Sequence, residues 1–225
     1  MKALVLLSGG LDSATCLAMK IDEYGRDQVM GLNIYYGQRH SREIESARKI
    51  AAHYGILLEE YDLKAMMEGS DCPLLEDSGK AIQHGSYAEQ MGGKEGTVST
   101  YVPFRNGLML SIAAARAIIH GCTEICYGAH ADDAAGAAYP DCTPEFYRAM
   151  DEAIYQGSGK VLRLSAPLIE MNKAGVVRRG LDLKVPYEMT WSCYEGGEEP
   201  CHSCGTCIDR ENAFKANGTK DPLCR

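Results

Sequence analysis

A chain of 225 residues with 45% hydrophobic and 24% charged residues has the composition of a globular protein that buries one full core. One domain, or one domain with a small appendage, is expected. Lys and Arg number 23 against 31 Asp and Glu, a net charge of -8, which argues against a broad nucleic-acid or anionic-membrane surface but not against a local basic groove. The longest apolar run, residues 107–119, is interrupted by Arg116 and falls well short of the roughly 20 residues a membrane span needs. Residues 3–7 are too short for a secretory h-region, so the expected compartment is the cytoplasm.

In chain order, residues 2–7 (KALVLL) are an apolar run ended by Ser8-Gly9-Gly10, the pattern of a buried strand entering a glycine turn. Ala14, Leu17, Ala18 and Ile21 recur at helical spacing, predicting a helix over 12–24 with Gly25 as its stop. A second strand is predicted over 29–36, a helix over 40–54 ended by Gly55, and a third strand over 56–63. Residues 64–100 lose periodicity and collect Gly69, Pro73, Gly79, Gly85, Gly92, Gly93 and Gly96, which reads as a long loop or lid. Order returns after Val102-Pro103-Phe104-Arg105-Asn106 with a helix to about residue 120, a strand over 124–127 and a polar loop over 128–140. Thr143 and Pro144 have the cap and first-turn chemistry of a helix running to about 156, and 161–164 reads as the last parallel strand. Lys173 opens a further helix, and residues 208–217 close the chain as another.

Strands alternating with helices imply an α/β fold, a mostly parallel sheet with helices on both faces. Ligands of such sheets sit at the carboxyl ends of the strands, so the loops after Leu7, after Tyr36, around Arg105 and after Tyr127 are the informative ones. From about Pro186 the texture becomes Gly-, Glu- and Cys-rich. The expected division is therefore a nucleotide-binding domain over 1–185 and a small metal-organised C-terminal element over 186–225, packed on the first.

Ten cysteines in a chain of this size and compartment do not read as a disulfide framework. Cys193, Cys201, Cys204 and Cys207 are bunched with C-x-x-C-x-x-C spacing, four thiolates suited to tetrahedral Zn²⁺ and also to an iron–sulfur cluster; zinc is the expectation. His202 is a competing ligand that more naturally faces solvent. A nucleic-acid-binding zinc module is a further reading, supported by Trp191, Tyr194 and Arg210 and opposed by Glu195, Glu198 and Glu199, which repel phosphates.

Ser8-Gly9-Gly10-Leu11-Asp12-Ser13 lies between strand and helix, where free amides and the positive helix end attract an anion. Ser8 and Ser13 add hydroxyl donors, and Asp12 is placed to hold Mg²⁺ or to order the turn. No Walker lysine is present. With this loop, the chain resembles the ATP-pyrophosphatase (PP-loop) superfamily, of adenine nucleotide alpha hydrolase-like fold, and within it the 7-cyano-7-deazaguanine synthases. The segments that carry the likeness are VLLSGGLDSATCL from Val5, YYGQRHSREIESA from Tyr35, TYVPFRNGLMLSIA from Thr100 with GAHADDAAGAAYPDCTPEF from Gly128, and TWSCYEGGEEPCHSCGTCIDR from Thr190.

The resemblance implies ATP-dependent conversion of 7-carboxy-7-deazaguanine and ammonia to the nitrile through adenylated intermediates. AMP and pyrophosphate leave, Mg²⁺ accompanies ATP and Zn²⁺ is structural. Nitrogen is expected from free ammonium or a separate partner, no nucleic acid is expected to bind directly, and a homodimer is compatible with the reading. ATP-binding residues implied are Leu7, Ser8, Gly9, Gly10, Leu11, Asp12, Ser13, Ala14, Thr15, Cys16 and Leu17. Asp12, Ser13, Arg105 and Lys173 are the catalytic candidates, and Lys173 at a helix start is electrostatically misplaced unless an anion visits. For substrate, Arg39 and Asn106 lie beside expected strand ends, Tyr35 and Trp191 offer rings for stacking, and Asp132, Asp133 or Asp141 offers a carboxylate to the paired N–H donors of a deazaguanine edge. His130 reads either as an acid–base group or as a hydrogen-bonded structural histidine. A tRNA-modifying enzyme with the same ATP chemistry is the alternative function.

Overall fold

The computed structural model describes residues 1–86, 89–90, 96–135 and 138–224. Five short strands form one parallel sheet: β1 (Ala3–Leu6), β2 (Val29–Tyr35), β3 (Leu57–Asp62), β4 (Glu124–Cys126) and β5 (Arg163–Ser165), in the order β3-β2-β1-β4-β5. Ala3 sits level with Val29 on one side and with Glu124 on the other, so β1 is central and buried on both faces. Its alternation explains the unbroken apolar run: Ala3, Val5 and Leu7 enter one cluster, while Leu4 enters another on the opposite face with Leu6 packed against it.

The first cluster is covered by α1 (Leu11–Tyr24) and α2 (Arg42–Tyr54), the second by α3 (Arg105–Ile119) with Leu110, Ala113 and Ala117. A short α4 (Ala131–Ala134) precedes α5 (Pro144–Gly157), α6 (Lys173–Asp182) and α7 (Gly205–Ala216). Ile154 of α5 joins the second cluster, and Val176 and Val177 of α6 with Phe214 of α7 join the first, so helices lie on both faces. Thr143 caps α5 by accepting the Phe146 amide at 3.1 Å, as its sequence position implies.

Three expectations shift. The last strand lies at Arg163–Ser165 rather than over 161–164, because the Leu162 amide is taken by the Ser158 hydroxyl at 3.1 Å and Val161 is exposed. The loop over 128–140 contains α4, anchored where the Ala131 amide meets the Met171 carbonyl at 2.9 Å. The last helix begins at Gly205, since the cysteine turn runs straight into it with Cys204 as its N-cap.

Within 64–100 the described residues include a 3-10 turn, Lys64–Met67, and isolated bridges Gln38↔Leu75 and His84↔Cys204; Gly92 and Gly93 lie outside the described residues. Leu74, Leu75, Ile82 and Val102 bury against Trp191 and the cysteines, so part of the expected lid is packed onto the C-terminal segment.

The strand order reverses at β1, whose neighbours are β2 and β4. A crevice opens at the carboxyl ends of parallel strands at such a point.

Candidate active site

The loop leaving β1 enters α1 through Gly9 and Gly10. Its first intrahelical bond is Ala14 N–H to the Gly10 carbonyl at 3.1 Å, so the amides of residues 11–13 stand ahead of the ladder with the positive helix end behind them. Ser13 Oγ donates to the Gly10 carbonyl at 3.0 Å and accepts from Ser8 Oγ at 3.1 Å, which fixes the turn. Two glycines are required by proximity. A Cβ on Gly9, which has φ 95, would lie 2.0 Å from the Glu43 carbonyl oxygen, and one on Gly128 would lie 3.2 Å from Asp12 Cβ. The loop after β1 is thus wedged between α2 and the loop after β4.

Lys173, first residue of α6, crosses to this loop. Its Nζ donates to both Asp12 oxygens, at 2.8 and 2.7 Å, and lies 3.1 Å from His130 Nε2. Asp133 Oδ2 approaches His130 Nε2 at 3.3 Å. Burial works against the charged forms of Asp12 and Lys173, but their mutual attraction prevails and holds the Asp12 carboxyl below, and the Lys173 ammonium above, its ordinary value. A cation at a helix start is therefore explained by the anion Asp12 rather than by a visiting ligand. Among the described residues His130 Nδ1 is buried without a hydrogen-bond partner.

Tyr36, Leu74, Arg105, Met109, Trp191 and Tyr194 line the cleft as well, and the Arg105 guanidinium stacks 5.2 Å from the Tyr36 ring centre while donating to its hydroxyl at 3.1 Å. Thr206 and Asp209 of α7 complete the lining.

The four sulfurs of Cys193, Cys201, Cys204 and Cys207 lie within 4.8 Å of one another, a donor set that fits one tetrahedral metal with every position filled. His202 points out, its Nδ1 2.5 Å from Glu211. Arg210 is not a phosphate-facing cation: it is 3% exposed, pairs with Asp221 at 2.7 and 3.0 Å and donates to Thr190 Oγ1 at 2.7 Å.

A family model described as queuosine biosynthesis protein QueC matches residues 2–218. The chain belongs to the QueC family. It is 44% identical over 224 residues to the 7-cyano-7-deazaguanine synthase of Archaeoglobus fulgidus, covering 99% of this chain and 90% of that one. To the synthase of Oceanobacillus iheyensis it is 40% identical, covering 99% and 97%. Two solved structures share the fold. NMN synthetase from Francisella tularensis superposes with TM-score 0.54 at 14% identity, covering 97% of this chain and 78% of that one. The U34-tRNA thiolase NcsA of Methanococcus maripaludis, solved with its 4Fe-4S cluster, superposes with TM-score 0.51 at 19% identity, covering 86% and 60%.

In this QueC-family chain the cleft gathers Leu7, Ser8, Gly10, Asp12, Ser13, Arg39, Arg105, Asn106, Asp133, Lys173 and Trp191 from the sequence candidates. Others are placed elsewhere. Leu11, Ala14, Cys16 and Leu17 are on the buried face of α1 in the core, and the Thr15 hydroxyl bonds the Leu11 carbonyl and Tyr187. Gly9 lies behind the loop against α2. Tyr36, not Tyr35, faces the cleft, and the Tyr35 hydroxyl turns to Glu76. Asp132 accepts the Lys173 amide at 2.7 Å. Asp141, 4% exposed, accepts the Asn106 amide at 2.9 Å and so seats the start of α3. Glu43, Thr206 and Asp209 also line the cleft and were not singled out, although the quoted segments contain them, and Tyr194, read only for a nucleic-acid module, lines it too. What could have found them is spacing, since Asp209 is two residues beyond Cys207 and Glu43 three beyond His40.

Proposed function

We propose that this chain is a 7-cyano-7-deazaguanine synthase, using ATP to convert 7-carboxy-7-deazaguanine and ammonia to the nitrile with release of AMP and pyrophosphate. The observation that supports it best is the helix N-terminus after β1, open to a cleft at the switch point, with its cation brought from α6 instead of from a Walker lysine in the loop.

A carboxylate would have to expel oxide, so its oxygen first attacks the α-phosphorus of ATP and AMP becomes the leaving group. Ammonia then gives the amide. Adenylation of the amide oxygen and loss of AMP and a proton leave the nitrile. In this reading the amides of 11–13 hold the pyrophosphate oxygens over a turn shaped by the Ser8 and Ser13 hydroxyls, while Lys173 and Arg105 stabilise charge as it develops. Asp12 positions Lys173. Mg²⁺ would enter with ATP and supply neutralisation of the pyrophosphate charge. The four cysteines would hold Zn²⁺ as a structural ion. The partners are small molecules, without nucleic acid, and the compartment is the cytoplasm.

Measuring AMP release with 7-carboxy-7-deazaguanine plus ammonium, against total tRNA, tests the reading. AMP and pyrophosphate are expected with the small molecule alone; AMP formed only with tRNA, or ADP as product, would overturn it.

A further inference from the structure

At neutral pH most ammonia is ammonium, which has no lone pair. The synthase chemistry needs a group that takes one proton from it beside the acyl adenylate. Asp12 is committed to Lys173, Asp133 lies against His130, and Asp141 holds the Asn106 amide. Asp209 faces the crowded cluster of Lys173, His130, Asp132 and Asp133. Glu43 differs from all of these. It stands in the first turn of α2, the turn pressed onto the phosphate loop at Gly9, and lines the cleft. Among the described residues its carboxylate has no hydrogen bond or ion pair, only the field of Arg105.

The surroundings are defined on every side. Arg105 of α3 and Tyr36 after β2 face Glu43, and Arg39, His40 and Tyr194 share the cleft lining. β3 and the turn Tyr187–Met189 also pack on α2, but there Glu60 is spent on Arg48 at 2.9 Å and Glu188 lies near Tyr54. Burial in the wall pushes the Glu43 carboxyl up to about 7, against the pull of Arg105, where a general base works best at neutral pH.

We propose that Glu43 is the ammonium site: its carboxylate binds ammonium next to the acyl adenylate and removes the proton that frees the nitrogen nucleophile. This rests on the synthase function above. One N–H bond of ammonium breaks to Glu43, and the freed lone pair forms the C–N bond. The acyl C–O bond breaks with AMP taking its electron pair, and the new C–NH₃⁺ group loses its extra proton to water. Glu43 returns its own proton to solvent through the cleft.

Glu43→Gln at pH 7 is expected to lower ammonium-dependent AMP formation from 7-carboxy-7-deazaguanine by on the order of 10²-fold or more. The deficit shrinks as pH rises to where ammonium ionises unaided. Given the amide, 7-amido-7-deazaguanine, and ATP, the same variant is expected to form the nitrile with at most a few-fold loss, since no ammonium enters that round. Glu43→Asp, the variant to use should Glu43→Gln fail to fold, recovers part of the ammonium-dependent rate. Equal losses from acid and amide, or no ammonium-dependent loss at pH 7, would overturn the assignment. Wild-type protein that converts neither substrate would overturn the synthase function and this site with it.

Discussion

The sheet and the cysteine-bearing segment that follows Pro186 are held by different forces. In the sheet, Ala3, Leu4, Val5 and Met30 are all 0% exposed and lie between helices on both faces, so burial of apolar area carries the stability, roughly 25 cal/mol per Å² removed from water. In the C-terminal segment the fixed points are four thiols and the buried Arg210–Asp221 pair. Yet Trp191, Ser192, Tyr194, Thr206 and Asp209 from that segment line the same cleft as the phosphate loop. One part of the cleft wall therefore depends on sulfur and ionic contacts that a sheet core does not need, and each part has its own way of failing.

Cys204→Ser breaks this comparison hardest. It removes one of the four sulfurs of the proposed metal site, whose contribution reaches about 10–16 kcal/mol in zinc-finger peptides. Low soluble yield, reduced zinc and a lowered melting temperature are expected, with activity falling in parallel with the folded fraction; zinc content, melting and turnover on one preparation check it. An unchanged melting temperature with the metal absent would sink the structural role.

Arg210→Met comes next, because it leaves Asp221 buried, 4% exposed, without its partner. Stability is expected to fall by about 3–5 kcal/mol, and the double variant with Asp221→Leu should recover much of it. Denaturant titration of both variants measures the difference.

On the phosphate side, Lys173→Gln should lower kcat for AMP formation by about 10²–10³-fold, the cost of losing one preorganised donor, while zinc content stays at the wild-type level. Loss of zinc in this variant would mean that the two halves are not separable.

The smallest effect belongs to the sheet edge. Glu59 on β3 accepts from Arg116 at 2.8 Å and from His120 at 2.7 Å, and these bonds, Arg116 first, hold its carboxyl down at about 2 against 4.5 unfolded. The unfolded chain binds that proton more tightly, so the contribution is present above pH 4.5 and lost as pH falls toward 2. Partial exposure of the pair limits it to at most about 1 kcal/mol. Acid titration of wild type against Glu59→Gln should show a flatter limb in the variant.

What was legible in the sequence follows the range of the forces. Runs such as ALVL, and the cap at Thr143, are decided within a few residues, and those elements form where expected. The convergence of the four cysteines was legible because their bunched spacing leaves little chain to keep the sulfurs apart. Residues brought together by tertiary contact were not. Whether Tyr35 or Tyr36 faces the cleft depends on where β2 ends, and a one-residue change turns a side chain to the other face. Asp132 and Asp141 looked like substrate readers because nothing local shows that the amides of Lys173 and Asn106 would claim them. Lys173 was legible as an anomaly, and only the fold supplied Asp12 as its answer.

The Trp191 amide donates to the Gly9 carbonyl at 3.0 Å, and its indole N–H donates to the Cys193 carbonyl at 2.8 Å. Arg42 stacks 5.3 Å from its ring centre. Since the chain has a single tryptophan, its intrinsic emission is a native optical gauge seated at the seam between the phosphate loop and the cysteine turn. Without a label, one fluorescence trace would report on both the loop after β1 and the cysteine turn.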